Sequence, residues 1–200
     1  MTVEKKIVFF KSVLVTIALT FFTCSLDKHY VYANSFESKN SNQLAILFKN
    51  LSNVESYREA NVVIKEIWNF WINDTANEKN RQMLKIGINL MNKNNFLEAE
   101  SIFSKLIQND PNYMEAWNKR ATVRYVMGNY DGSFADVNMV LAKEPKHFGA
   151  LSGLGLILMQ NNDYEGALFA YRKVLAINPF SKDALKLIPI LQRKVYGSSL

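Results

Sequence analysis

The sequence predicts an all-α protein built from stacked pairs of antiparallel helices. Three observations carry this prediction. Prolines recur at Pro111, Pro145 and Pro179, 34 residues apart each time. Aromatic residues recur at Phe96, Tyr130 and Tyr164 with the same step, each after a loop-like pair: Asn94-Asn95, Gly128-Asn129 and Asn162-Asp163. Further columns keep the register, with small residues at Gly87, Ala121 and Gly155 and at Ala99, Ser133 and Ala167, and large apolar residues at Met83, Trp117 and Leu151. A period of this length marks a repeat whose units bury their apolar faces against one another.

Composition narrows the function. The chain has 200 residues, of which 48% are hydrophobic and 21% charged, so it is not disordered throughout. One Cys excludes a disulfide scaffold and a cysteine zinc site, and two His argue against a histidine metal cluster. The net charge of +6 reads as mild and scattered, so no nucleic-acid partner is expected.

The elements follow in order. Residues 1–33 read as a signal peptide: Lys5, Lys6 and Lys11 flank an apolar run from Ser12 to Phe22, and Val31-Tyr32-Ala33 ends in a cleavage-like small residue. Cleavage after Ala33 leaves a chain without Cys and without a membrane span. An uncleaved anchor is the second reading. A lipid anchor on Cys24 is the third, disfavoured by Phe21 and Thr23 before it. Residues 34–79 read as a degenerate helix pair, because Tyr57-Arg58-Glu59-Ala60 echoes Phe96-Leu97-Glu98-Ala99 at an offset of 39. Five extra residues then fall near Asn73 to Glu78. Three units follow at 80–113, 114–147 and 148–181, each a helix pair by its apolar spacing. Asn95 and Asp163 are placed to cap second helices, and each Pro ends one. Residues 182–200 read as a cap helix and tail, with Pro189 kinking the helix or ending it early.

Phe96-x-x-Ala99-x-x-x-Phe103 and Tyr164-x-x-Ala167-x-x-x-Tyr171 resemble the tetratricopeptide repeat (TPR) family, whose period is 34. The resemblance covers Asn80 to Ser181. It implies a right-handed α-solenoid, the TPR superhelix. The middle unit departs from the pattern, with Arg120 where Ile86 and Leu154 stand, Arg124 where Leu90 and Leu158 stand, and Ser133 for Ala. With its export signal, the chain looks like exported TPR proteins of Gram-negative, alphaproteobacteria-like bacteria.

No catalytic, cofactor-binding or metal-ligating constellation is legible. There is no nucleophile elbow, phosphate loop or zinc motif. Gly153-Leu154-Gly155 falls mid-helix and reads as packing. His147 beside the inter-unit turn reads as a turn or capping residue. Asp131, Asp136 and Glu144 read as a solvated face, and Trp68, Trp71 and Trp117 as core, with Trp71 at an element's edge. The chain is therefore expected to be no enzyme and to need no cofactor.

Function then lies on a surface. The resemblance implies that the first helix of each unit lines a concave groove that takes a partner's extended peptide or helix. By register the groove residues are Arg81, Leu84, Ile88 and Met91 from the first unit, Glu115, Asn118, Lys119, Thr122 and Tyr125 from the second, and Gly149, Ser152, Leu156 and Met159 from the third. Its centre is polar and its ends apolar, and exposed apolar surface marks binding. Two readings stand: an open groove, or one covered by the chain's own N-terminal helices. One TPR subfamily clamps the C-terminal carboxylate of chaperones. At the equivalent positions Leu84, Ile88, Lys119, Gly149 and Gly153 only Lys119 is basic, which argues against that role. The predicted function is a protein-binding scaffold of the bacterial envelope, periplasmic first, secreted second and membrane-anchored third. A secreted effector that binds host proteins, or an accessory subunit of a peptidoglycan enzyme, is the alternative. Monomer and dimer are both compatible with the sequence, and the C-terminal cap is the surface through which copies would associate.

Overall fold

The structure is a computed structural model of the chain, and its described residues are 42–75 and 77–197. The signal peptide and its cleavage after Ala33 lie outside the described residues. The described residues from Ile46 onward form one compact unit, which holds the repeats.

Nine helices and no strand are found among the described residues. They are α1 (42–52), α2 (Tyr57–Ile72), α3 (Glu78–Asn92), α4 (Phe96–Asn109), α5 (Met114–Val126), α6 (Tyr130–Lys143), α7 (Phe148–Gln160), α8 (Tyr164–Ile177) and α9 (Lys182–Tyr196). The pairs α3–α4, α5–α6 and α7–α8 pack internally, and α4 packs on α5 as α6 does on α7. Consecutive first helices also meet, α3 with α5 and α5 with α7. They therefore lie on the inner, concave side of the stack.

The recurrent columns have local physical causes. Asn94, Gly128 and Asn162 end the first helices in the left-handed region (φ 61°, 80° and 60°), which Gly and Asn adopt at least cost. The next amide in each case donates back to Leu90, Arg124 or Leu158 O at 2.9 Å. Gly87 and Gly155 admit an aromatic ring from the paired helix: an added Cβ would lie 2.4 Å from Phe103 and 2.6 Å from Tyr171. At the middle unit Ser133 replaces Ala because its hydroxyl donates to the Ala121 carbonyl at 2.7 Å. Asp110, Glu144 and Asn178, each before a Pro, leave the helical region at φ −146°, −129° and −127°.

Two expectations are corrected. Asp163 caps α8 through Gly166 N and Asn129 caps α6 through Gly132 N, both at 2.9 Å, but Asn95 makes no side-chain cap. The difference lies three residues on. Cβ atoms at Gly132 and Gly166 would fall 2.7 and 2.4 Å from the capping side chain, and α4 has Glu98 at that position. Pro189 does not end α9, which runs seven residues beyond it. Pro189 is exposed, and Ala184 and Leu191 hold the opposite face fully buried.

Candidate functional site: a concave face partly filled by the chain itself

Helices α1 and α2 precede the repeats, and α2 does not continue the stack. A fourth layer would pack α2 on α3 as α4 packs on α5. Instead α2 meets α5. The linker after it is fastened to the first repeat: Thr75 Oγ1 and Asn80 Nδ2 both donate to Asp110 Oδ2 (3.0 and 3.3 Å), and Arg81 donates to the Thr75 carbonyl. Tyr113 Oη donates to the Ile72 carbonyl. Burial raises the Tyr113 pKa, and the nearby Glu115 charge adds to the shift, so the phenol stays a donor.

Two tryptophans seat α2 on the inner face. Trp71 is fully buried and stacks on His147 at 3.8 Å and 18°. Trp68 meets Trp71, His147 and Phe148 edge-on at 5.1, 5.5 and 5.4 Å. Lys119 Nζ lies 4.8 Å over the Trp68 ring. Gly149 is open because a Cβ there would meet the Trp68 ring at 2.5 Å. At the other end of α2, Tyr57 carries Lys182 Nζ of α9 at 4.2 Å. The helix thus reaches from α9 to the N-terminal ends of α7 and α5.

Beneath the rings sits a buried polar cluster. His147 and Glu115 are both fully buried. Ala150 N–H donates to His147 Nδ1 at 3.0 Å, so the neutral ring carries its proton on Nε2, facing Glu115 Oε2 at 3.3 Å. Lys119 Nζ pairs with Glu115 Oε1 at 2.9 Å, and Asn118 Nδ2 lies 3.2 Å from both carboxylate oxygens. Burial opposes the charge on Glu115. The His147 hydrogen bond and the Lys119 charge outweigh it and hold the carboxyl below its usual range. His147 is thus the capping residue its position suggests. Among the described residues, Trp71 Nε1 is the buried side-chain polar atom left without a partner.

The thirteen groove residues therefore fall into two groups. Arg81, Glu115, Asn118, Lys119 and Gly149 are engaged within the chain, and Leu84 is fully buried in the core with Ile72 packed against its cluster. Ser152 Oγ donates to Phe148 O at 2.9 Å. Towards the C-terminal ends of the first helices, Thr122 and Leu156 are exposed, and Ile88, Met91, Tyr125 and Met159 are half-buried. Tyr125 Oη accepts from Gln160 Nε2 at 3.2 Å, tying α5 to α7. Sequence reasoning missed the role of Trp68 and Trp71 against His147; two tryptophans one helical turn apart before a five-residue insertion were the available signal.

Asp136 was expected on a solvated face and is instead buried. Arg120 grips it with two bonds of 2.7 and 2.8 Å, Arg124 adds one at 3.0 Å, and Arg124 also bonds Glu100 at 2.7 Å. Arg120 and Arg124, two of the middle unit's three departures, form one ionic unit with Asp136 and Glu100 between α4, α5 and α6. Among the described residues, no group of three or more His, Cys, Asp or Glu is placed to hold a metal ion, and no helix is long and apolar enough to cross a membrane.

The tetratricopeptide repeat pattern matches residues 149–181 and 83–113. A TPR repeat-containing protein of Rhizobium etli is 32% identical over 152 residues, spanning 76% of this chain and 74% of that one. The chain is a tetratricopeptide repeat protein. The TPR fold recurs in the first TPR of Spaghetti (RPAP3) bound to an HSP90 peptide, with a TM-score of 0.57, 19% identity, and coverage of 59% of this chain and 94% of that one. It recurs in MamA from Desulfovibrio magneticus RS-1, with a TM-score of 0.55, 19% identity, and coverage of 79% and 86%. At these identities the likeness is one of fold.

Proposed function

We propose that this TPR protein is a non-enzymatic adaptor of the bacterial envelope, and that it takes a partner peptide or helix along the uncovered strip of its concave face. The observation that carries this is the division of that face. One end is filled by α2, and the other presents Thr122 and Leu156 to solvent between Ile88, Met91, Tyr125 and Met159. The chain itself supplies an example of what the inner face accepts, a helix anchored by aromatic side chains. The RPAP3 domain with its HSP90 peptide supports a peptide partner for the same fold. The envelope setting rests on the export signal read at residues 1–33.

Photo-crosslinking tests this. A photoreactive side chain at position 156 is expected to capture a partner that the same group at Phe134, exposed on α6, does not. Tyr125→Ala is expected to reduce the capture. Equal capture from both positions, unaffected by Tyr125→Ala, would remove the strip as the binding surface. Fractionation of the cells tests the envelope setting, and recovery in the cytosol would overturn it.

A further inference from the structure

The charge is not scattered, contrary to the sequence expectation. From residue 42 to 171 there are thirteen basic and fourteen acidic residues. From Arg172 to Gly197 there are six basic residues against Asp183 alone, so this end carries +5 of the total +6. Most of it lies on α9, the last described helix, which packs on α8. Ala184 and Leu191 are fully buried on the side that meets α8. Lys182, Lys186, Pro189 and Arg193 follow one another at four-, three- and four-residue steps and are exposed, Lys182 with its ammonium over the Tyr57 ring of α2 and Lys186 and Arg193 at the uncommitted end, which places them along a single line about 17 Å long. Large apolar side chains flank that line in the open, Leu185 at 52%, Tyr196 at 58% and Ile190 at 36% exposure.

We propose that this outer face of α9 docks on an anionic phospholipid surface. A single convex helix has no groove to read a peptide. Its basic groups are spread along the helix rather than converging on one anion. Delocalised positive charge with Leu, Ile and Tyr interleaved is the chemistry of the lipid headgroup boundary, where basic residues meet phosphate and the apolar ones enter shallowly. The mode is peripheral, and it leaves the concave strip free for a protein partner.

The test is sedimentation of the full chain with vesicles of about one-third phosphatidylglycerol in phosphatidylcholine, compared with Lys186→Glu/Arg193→Glu and with a control, Lys79→Glu/Lys85→Glu on α3. Each basic residue near such a surface is worth about fivefold in partitioning. The α9 variant is expected to lose roughly twentyfold or more, the control to retain its binding, and wild-type binding to fall steeply with added salt. The salt titration stands even if the α9 variant folds poorly. Binding by any other segment is common to all three proteins and does not separate them. Equal binding by wild type and α9 variant, or salt-insensitive binding, would overturn the proposal. So would tighter association with poly-glutamate than with the vesicles, lost in the same variant, which would make the occupant an acidic polypeptide.

Discussion

His147 lies face to face with Trp71, 3.8 Å apart, with one ring nitrogen accepting from the Ala150 amide and the other directed at Glu115. The contact joins a residue that starts α7 to one at the end of α2. It is what makes α2 an occupant of the concave face rather than part of a fourth layer.

Removing the anchor should detach the arm. Trp71→Ala is expected to cost about 3–5 kcal/mol, the range for truncating a buried large aromatic. Trp71→Phe should cost much less, because it keeps the stack and removes an indole N–H that has no partner. Urea denaturation gives the free energies. Hydrogen exchange should show α2 losing protection in Trp71→Ala while α7 and α8 keep theirs.

Two glycines four residues apart should respond with opposite signs. At Gly149 an added Cβ meets the Trp68 ring at 2.5 Å, so Gly149→Ala should destabilise by roughly 1–3 kcal/mol. At Gly153 the nearest atom is Val137 Cγ2 at 3.7 Å, an ordinary contact, so Gly153→Ala should stabilise by about 0.5–1 kcal/mol through helix propensity. Thermal midpoints of the two variants check both signs.

Asp136 neutralises two arginines that stand in otherwise apolar columns. Asp136→Ala should cost about 3–5 kcal/mol by leaving Arg120 without an ionic partner and Arg124 with Glu100 alone. Replacing all three with residues of the flanking units, Arg120→Leu, Arg124→Leu and Asp136→Ala, should recover most of that loss. Denaturation of the single and triple variants decides whether the ionic unit behaves as one exchangeable piece.

The repeats were legible in the sequence because each column has a cause within one hairpin. Gly87 faces Phe103, Asn94 turns the chain and Pro111 follows the helix end, all within a 34-residue step. The arm was not legible in that way. Tyr57-Arg58-Glu59-Ala60 has the pattern of a helix that packs, but amphipathicity does not name the surface it packs on. Trp71 and His147 are 76 residues apart, with no periodic signal between them. Asp136 read as solvated because charge favours the surface, and its partners sit on the preceding helix. Register placed the thirteen groove residues on the first helices, but it did not show that Leu84 is buried in the core or which of the others the chain engages itself, because that depended on where α2 went.

The acid side of the stability curve should report on Glu115. Its folded pKa lies below the usual 4.5, so the stability it contributes is complete above 4.5 and is lost as pH falls through the lower folded value. Unfolding free energy should therefore drop as pH falls below the usual carboxylate range, with a shallower slope in Glu115→Gln. Glu115→Gln should also be less stable at neutral pH, since Lys119 and His147 lose their acceptor charge.

The most direct test is a proton NOE experiment on the folded chain, asking what surrounds the Trp71 indole. Cross-peaks to the His147 and Phe148 rings are predicted from separations of 3.8 and 5.0 Å. An indole whose cross-peaks run to side chains of α3, with none to His147, would place the pair as a fourth layer and contradict the filled concave face.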